Sequence, residues 1–424
     1  MEQKKNENSY EFLKETIKEK PVDKTKLVKH ILRILLSGAL FGLAATAVFA
    51  LAAPEITKNI EKKQEQSKIQ FPSDAKNREE NTKNSTAEDN SSEVGAQPAA
   101  EELTPEKYQK LFEDVFTAAQ EAEKAMVRVR GNKNDEEWFQ TPYESEISGL
   151  LVAESGQELF ALTEYRIVEN VDRIQVVFHD GTVTDARFLK GDANTGFVIL
   201  KIPKSGISAE TQESITIASL GESYTVEQGE PVLAIGSPMG YSDSVGYGIV
   251  TSICNTVAKT DAEYRLLTTD IAGSSLGSGI LLDLEGQVIG LIAQSFARED
   301  TQNLITGLGV SEVKEMIQIL SDETKDIIYM GITGKSITTD ISEKKGIPVG
   351  VFVEQVEVNS PAMQVGIQSG DVIIELNGKK IETVKGYQQQ LKSCKTGETI
   401  KVKAMRQGTE GYVEVDFDVT LQAR

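Results

Sequence analysis

Between residues 125 and 310 the chain is a succession of short segments in which apolar and polar residues alternate, separated by turns rich in glycine. Alternation with a period of two is typical of strands that bury one face. Such segments occur at residues 125–130, 146–152, 159–162, 174–178, 187–189 and 197–202. His179-Asp180-Gly181 carries an Asp-Gly hairpin signal between two of them. Many short strands with closely spaced turns predict an all-β fold, and about 200 residues suit a two-barrel domain.

Helical signals flank this β region. Thr104-Pro105-Glu106 supplies an N-cap, a proline at the first helical position and a first-turn acid. Apolar residues then follow at helical spacing, which predicts a helix over residues 105–124. A second, short helix is predicted over residues 311–320. We therefore place one domain at residues 103–322.

The last hundred residues have a different texture. Strand-like segments alternate with one helical segment at residues 384–391, which follows the turn Leu376-Asn377-Gly378. This pattern predicts a separate small α+β module at residues 326–424.

A long apolar run near the N-terminus predicts a membrane-spanning helix. Residues 31–53 carry a single charge, Arg33, and about 23 residues suffice to cross a hydrocarbon core. Lysines are denser before the run than after it, so the positive-inside rule places residues 1–30 in the cytoplasm and the folded domains outside the cell membrane. The alternative is a cleaved signal peptide, because Ala50-Leu51-Ala52 resembles a cleavage site.

Residues 54–102 are rich in Lys, Glu, Asn, Ser and Gln and have almost no large apolar residues after Phe71. Such a segment cannot bury enough surface to offset its ordering entropy, so we predict a disordered linker between the anchor and the first domain.

The composition excludes several classes of function. The formal net charge of −20 argues against a nucleic-acid partner. The only two cysteines, Cys254 and Cys394, are far apart, so neither a disulfide framework nor a zinc site is indicated. No metal or cofactor site is predicted.

Four segments of the β region carry motifs with a recognisable order and spacing. They are residues 147–174, 191–202, 232–252 and 267–291, the third including the sequence Ala234-Ile235-Gly236-Ser237-Pro238. Together they cover most of residues 105–320, and they resemble the motifs of HtrA (DegP-type) trypsin-like serine proteases. The resemblance implies a trypsin-like double β-barrel.

The C-terminal module resembles the PDZ domain that follows the protease in that family. Ser360-Pro361-Ala362, Gly370-Asp371-Val372-Ile373 and Leu376-Asn377-Gly378 stand in the usual order. Tyr329-Met330-Gly331-Ile332 matches the carboxylate-binding loop, whose backbone N–H groups capture a peptide C-terminus while the peptide adds to a sheet edge as a strand. The resemblance implies binding of peptide or protein C-termini.

The catalytic residues that the resemblance implies are largely replaced. Serine proteolysis needs a nucleophile, an imidazole that takes its proton and a carboxylate that orients the imidazole. The position of the histidine falls on Arg166, which has no acceptor atom, and the position of the aspartate falls on Gly196. The nucleophile falls on Ser278 when the alignment starts from Thr269-Asp270. It falls on Gly277 when the alignment runs back from Leu282 and Gly286, because the loop is one residue short.

The oxyanion loop is altered as well, since Leu276 stands where the resemblance expects a glycine that donates an N–H. Of the two histidines, His30 precedes the anchor and His179 belongs to a hairpin turn where an exposed side chain is expected. A Ser–Lys dyad with a distant lysine such as Lys259 stays open as an alternative.

Two functions are compatible with these features. The first is a membrane-anchored HtrA-like pseudoprotease that binds peptide C-termini or unfolded proteins outside the cytoplasm, as a scaffold, regulator or chaperone-like factor in protein quality control. The second is an active membrane-bound serine endopeptidase that uses Ser278 with a non-standard base. The resemblance also permits a homotrimer or association with an active HtrA relative.

Overall fold

A computed structural model of the chain describes residues 104–132 and 146–424. The predicted tail, membrane-spanning helix and linker (residues 1–30, 31–53 and 54–102) lie outside the described residues. Within the two described ranges, no helix is long and apolar enough to cross a membrane. All described residues belong to one compact unit.

The predicted β region forms two closed antiparallel barrels. The first has the strand order β1-β2-β3-β6-β5-β4, and the second has the order β10-β11-β12-β9-β8-β7. The strands of the first are β1 (Met126–Asn132), β2 (Glu146–Glu154), β3 (Glu158–Glu164), β4 (Arg173–Val177), β5 (Val183–Asp192) and β6 (Phe197–Pro203). Those of the second are β7 (Pro231–Ser237), β8 (Ser244–Lys259), β9 (Ala262–Ala272), β10 (Ser278–Leu282), β11 (Val288–Ile292) and β12 (Leu304–Gly309). The prediction of a two-barrel domain is confirmed.

The C-terminal module is built on an antiparallel sheet with the order β14-β15-β16-β18-β19, and β17 pairs with β16. Two short strands, β13 (Ile328–Tyr329) and β20 (Gln422–Ala423), pair separately. The sheet strands are β14 (Ile332–Ile337), β15 (Gly350–Val356), β16 (Val372–Leu376), β17 (Lys379–Lys380), β18 (Thr399–Gly408) and β19 (Gly411–Thr420). β14 is an edge strand, which leaves one side of it open to pairing with another segment.

Six α-helices and four 3₁₀ turns complete the described part of the chain. The α-helices are α1 (Pro105–Glu123), α2 (Ala209–Ser214), α3 (Val310–Leu320), α4 (Thr339–Lys345), α5 (Pro361–Val365) and α6 (Val384–Lys392), and the 3₁₀ turns are Tyr165–Ile167, Lys204–Gly206, Gln294–Phe296 and Glu299–Thr301. The three helices predicted from sequence are α1, α3 and α6, each within one residue of its expected bounds. Thr104 caps α1 as expected, since its side chain accepts the N–H of Lys107 at 3.3 Å.

The cores follow the period-two alternation of the strands. Leu281 points into the second barrel. Its neighbours Ile280 and Leu282 point to the other face and pack between the two barrels, together with Leu150 of β2 and Ile317 of α3. The orientation of β10 is therefore fixed by apolar burial, and this orientation decides where the side chain of Ser278 lies.

Candidate functional site

Arg166, at the position of the histidine, lies beside the oxyanion loop and ties it to the first barrel. Its Nη2 donates to the carbonyl oxygen of Leu276 at 3.0 Å, and its Nε pairs with Glu164 at 2.8 Å. The guanidinium bridges the end of β3 to a loop 110 residues further along the chain. An arginine side chain has five N–H donors and no acceptor, so it cannot take a proton from a nucleophile.

Gly196, at the position of the aspartate, belongs to a tight turn between β5 and β6. Its N–H donates to the carbonyl of Asp192 at 2.8 Å, and its own carbonyl accepts the N–H of Tyr165 at 2.7 Å. Its φ of +73° is a left-handed conformation. Without a side chain, this position cannot orient a base.

Ser278 is the first residue of β10 and is buried, with 1% of its surface exposed. Its Oγ accepts the backbone N–H of Ser148 at 3.0 Å, across the boundary between the barrels. The side chain shares the face of the strand that carries Ile280 and Leu282, both of which pack between the barrels. The hydroxyl therefore belongs to the structural contact between the barrels.

Gly277 has no space for a side chain. A Cβ at this position would lie 2.3 Å from the carbonyl oxygen of Pro238 and 2.9 Å from that of Ser274. Real Cβ atoms essentially never approach other atoms closer than about 3.0 Å. The position given by the shorter-loop alignment is thus closed to serine unless the backbone moves.

The N–H groups of the oxyanion loop are used inside the loop. Leu276 donates its N–H to Oγ of Ser274 at 3.2 Å, and Gly277 donates its N–H to the carbonyl of Ser274 at 2.8 Å. Stabilising an oxyanion requires donors aimed at the place where the negative charge develops. These two donors are already paired. Leu276 itself is 61% exposed.

A buried glutamine holds the base of this loop. The two N–H bonds of Gln294 Nε2 are shared among the carbonyls of Ser274, Gln302 and Leu304, which lie 3.1–3.2 Å from Nε2, and its Oε1 accepts the N–H of Thr306 at 2.8 Å. Gln294 is 7% exposed, so these partners lie away from solvent. One side chain thus fixes the loop against β12.

Gln294→Ala is expected to lower the free energy of unfolding by about 2 kcal/mol, because several buried polar groups would lose their partner. Urea denaturation of the wild type and the variant measures this difference. The control is Gln389→Ala at an exposed position of α6, for which we expect a change below about 0.5 kcal/mol. Equal losses in the two variants would contradict the role given to Gln294.

His179 is exposed on the turn between β4 and β5, as expected. It lines a cavity of about 180 Å³ together with Glu123, Arg128, Ser148 and Asp243. Burial raises the pKa of Glu123, and the nearby charge of Asp243 raises it further.

Within residues 104–132 and 146–424, no group of three or more His, Cys, Asp or Glu side chains could hold a metal ion.

The predicted carboxylate-binding loop joins β13 to β14. The N–H groups of Met330, Gly331 and Ile332 converge on one carboxylate, the side chain of Asp261, at 2.7–3.1 Å. The hydroxyl of Tyr329 donates to Glu357 at 2.9 Å. The loop has the geometry of an anion-binding nest, and in this structure it holds a carboxylate of its own chain.

Comparisons with known proteins agree with this arrangement. Residues 147–291 match the trypsin-like peptidase domain, and residues 328–417 match the PDZ domain. Serine protease Do-like HtrB of Bacillus subtilis is 27% identical over 279 residues, which cover 62% of this chain and 59% of that protein. The chain thus combines a trypsin-like peptidase domain with a PDZ domain, and it is similar to HtrA-type serine proteases. A probable periplasmic serine endoprotease of Halomonas elongata, DegP-like, is 26% identical over 273 residues, 63% of this chain and 55% of that protein.

Solved HtrA-type structures share the fold. The HtrA-type protease AlgW with a decapeptide has a TM-score of 0.53 at 20% identity, over 73% of this chain and 98% of that one. The serine endoprotease from Yersinia pestis has a TM-score of 0.51 at 22% identity, over 73% and 98% of the two chains. The alignments to the curated HtrB and DegP-like relatives span under two thirds of those relatives' lengths.

Three residues important to the two sites of this chain were not identified by the sequence analysis. The three are Gln294, Asp261 and Tyr387. Asp261 and Tyr387 contact segments that are distant in sequence, and Gln294 binds several backbone carbonyls at once. The sequence analysis did not predict the turn at Thr260-Asp261, which the structure places between β8 and β9. Nothing in the sequence pattern indicated that this turn enters the PDZ domain.

Proposed function

We propose that this HtrA-type chain does not cleave peptide bonds and instead binds the C-termini of peptides or proteins outside the cytoplasm. The proposal of inactivity rests on the arrangement of the residues at the catalytic positions. Arg166 clamps the oxyanion loop, Gly277 excludes a side chain, and Ser278 contributes its hydroxyl to a buried contact between the barrels.

Each of these departures lowers hydrolysis by a large factor. Loss of one oxyanion-hole donor costs about 10²–10³ in rate. Loss of the nucleophile or the base of a triad costs about 10⁶, and further losses within the same triad are not additive. With base, orienting carboxylate and oxyanion donors all altered, no more than residual catalysis is expected.

Peptide binding is supported by the carboxylate-binding loop. Three consecutive backbone N–H groups already bind one carboxylate with good geometry, and β14 offers an open sheet edge beside them. AlgW, with which this chain shares its fold, is described with a bound decapeptide. We infer that a free C-terminal carboxylate is the feature that this site recognises.

The proposed location is the outer face of the cell membrane. It rests on the apolar run at residues 31–53 and on the lysines before it. Residues 54–102 would then act as a tether that lets the folded domains reach neighbouring proteins. A role in protein quality control follows, as a scaffold, a regulator of an active HtrA relative or a chaperone-like factor.

Self-association as a homotrimer, or association with such a relative, is part of the proposal. Tyr108, Leu111 and Phe116 of α1 are exposed, and Phe112 packs edge-on against the ring of Tyr247 at 5.3 Å between centroids. An exposed apolar surface of this kind is available for contact with another chain.

Hydrolysis of fluorescently labelled casein by the full-length chain tests the proposal. We expect no turnover above the buffer blank, with Bacillus subtilis HtrB as the positive control, and no difference between the wild type and Ser278→Ala. Ser275→Ala, which removes an exposed hydroxyl of the same loop, is the matched control. Activity in the wild type that is lost only in Ser278→Ala would favour the alternative of an active endopeptidase with a non-standard base.

A further inference from the structure

The tip of the β8–β9 hairpin of the second barrel enters the carboxylate-binding loop of the PDZ domain. The turn consists of Thr260 and Asp261, and Asp261 adopts a left-handed φ of +57°, a conformation that Asp tolerates better than most residues. Oδ2 of Asp261 accepts the N–H groups of Met330 at 2.8 Å and Gly331 at 2.7 Å. Oδ1 accepts the N–H of Ile332 at 3.1 Å. All three donors of the loop are therefore used.

The backbone of Asp261 makes the contact expected of a bound peptide. Its N–H donates to the carbonyl of Ile332 at 2.6 Å, at the start of the edge strand β14. A peptide that adds to a sheet edge pairs its backbone with that strand, and its carboxylate lies in the loop. Asp261 thus supplies both a carboxylate and a backbone N–H where a C-terminal residue would supply them.

Helix α6 of the PDZ domain supplies a fourth hydrogen bond to this carboxylate. The hydroxyl of Tyr387, whose side chain is fully buried, donates to Oδ1 of Asp261 at 2.5 Å. Burial raises the pKa of Asp261, and the hydrogen bonds from Tyr387 and the three amides oppose that rise. Four donors around one buried carboxylate are a complete binding site, because a buried anion without partners would be strongly disfavoured.

Contacts on both sides of the hairpin hold it in place. The side chain of Asn194 donates to the carbonyl of Thr260 at 2.7 Å and accepts from Arg424 at 3.0 Å. Arg424 also pairs with the buried Asp192 at 2.7 Å. Arg424 thereby binds the same turn of the first barrel that contacts the hairpin.

We propose that Asp261 is an internal ligand of the carboxylate-binding loop, which an external C-terminal carboxylate must displace before it can bind. The proposal rests on the peptide-binding function proposed above and describes the regulation of that same site. Three N–H groups cannot bind two carboxylates at once, so the hairpin and the external peptide exclude each other. Displacement of Asp261 also breaks one of the contacts between the second barrel and the PDZ domain.

The partner that fits this site is an extended chain end with a free carboxylate. A cavity of about 70 Å³ remains beside Asp261, and Met316, Ile328 and Leu391 supply apolar lining to it. A peptide that ends in a modest apolar residue therefore suits the site better than one that ends in a charged residue.

Hydrogen–deuterium exchange of the full-length chain, without any ligand, tests the contact between Asp261 and the carboxylate-binding loop. In Asp261→Gly, which removes the carboxylate and accepts the left-handed φ, we expect the amides of Met330, Gly331 and Ile332 to exchange at least about tenfold faster than in the wild type. The matched control is Asp243→Gly, an exposed aspartate with a φ of +58°, in which these amides should keep their rates. Equal exchange in the wild type and Asp261→Gly overturns the proposal.

Measurements of peptide affinity test whether Asp261 and an external peptide compete for the carboxylate-binding loop. The probe is a fluorescein-labelled decapeptide that ends in valine with a free carboxylate, and its twin with an amidated C-terminus is the negative control. If the closed form makes up at least about nine tenths of the wild type, Asp261→Gly binds the free-carboxylate peptide at least about tenfold more tightly. Asp261→Asn, which keeps the shape of the side chain, is expected to bind with intermediate affinity.

The two experiments separate the failure of this proposal from the failure of the proposed function. Equal peptide affinity of the wild type and Asp261→Gly overturns the internal ligand and leaves peptide binding intact. Absence of binding to every variant overturns peptide binding itself, and the exchange rates then decide alone whether Asp261 occupies the loop.

Discussion

A Gly277→Ser variant is expected to lose about 3 kcal/mol of unfolding free energy and to gain no hydrolytic activity. The new Cβ would lie 2.3 Å from the carbonyl oxygen of Pro238 and 2.9 Å from that of Ser274. Both are backbone atoms, so the clash cannot be relieved by rotation of a side chain. Overpacking of a closed site typically costs about 1–3 kcal/mol, and more when the backbone must move.

The same reasoning extends to a full restoration of the triad. The combined variant Arg166→His, Gly196→Asp, Gly277→Ser is expected to stay inactive on casein, because the N–H groups of Leu276 and Gly277 remain paired with Ser274. Urea denaturation and casein hydrolysis measure the two effects.

The control for the steric argument is Gly386→Ser in α6, where a Cβ would meet only Oγ1 of Thr383, at 3.3 Å. We expect this control to change stability by less than about 1 kcal/mol. A stable Gly277→Ser protein, or an active triple variant, would show that the loop is more adaptable than its contacts indicate.

Arg406→Ala is expected to destabilise the PDZ domain by about 3–5 kcal/mol, because it leaves a buried carboxylate without its charged partner. Asp371 is 1% exposed, and Arg406 binds it through two parallel bonds, at 2.7 Å from Nε and 2.8 Å from Nη2. The same Nη2 also donates to the carbonyl of Gly366 at 2.8 Å. This loss is a large fraction of the about 5–15 kcal/mol by which a typical native protein is stable.

Thermal unfolding with hydrogen exchange over residues 350–419 measures the effect of Arg406→Ala. The matched control is Arg298→Ala, whose pair with Asp300 at 3.1 Å is exposed on both sides, with 80% and 64% of the side chains accessible. Such exposed pairs contribute about 0–1 kcal/mol. A similar loss in the two variants would contradict the special role of the buried pair.

The fold could be predicted from the sequence because its strands bury one face. Alternation at residues 146–152 and 197–202 placed β2 and β6, and Asp180-Gly181 placed the turn between β4 and β5, where Asp180 accepts the N–H of Thr182 at 2.8 Å. Helix α1 was placed by its cap and its proline. Each of these signals depends only on residues that are close together in the sequence, and the structure contains the element that each signal predicts.

The identity of the residues at the catalytic positions was visible in the sequence, and the geometry was not. The oxyanion loop is one residue short, and side chains alternate between the two faces of a strand, so a shift of one residue reverses the direction of a side chain. Apolar burial of Ile280 and Leu282 fixes the register of β10, which turns Ser278 toward Ser148. The direction of the Ser278 side chain therefore depends on how the two barrels pack against each other, which a pattern of neighbouring residues does not indicate.

The internal ligand was even less accessible to sequence reasoning. Asp261 and Tyr387 are 126 residues apart, and neither residue belongs to a motif that attracts attention by itself. The motif Tyr329-Met330-Gly331-Ile332 predicts a carboxylate-binding loop, and in the structure three of its N–H groups donate to the carboxylate of Asp261. It could not indicate that the carboxylate would come from the same chain.

The most direct test of the central claim, that this chain has no usable serine nucleophile, is labelling with a fluorophosphonate probe. The full-length protein would be incubated with the probe beside an active HtrA protein, and the adduct would be located by mass spectrometry of tryptic peptides. We predict no adduct on the peptide that contains Ser278, because its hydroxyl is buried and accepts the N–H of Ser148. Covalent labelling of Ser278 in the folded protein would contradict the account.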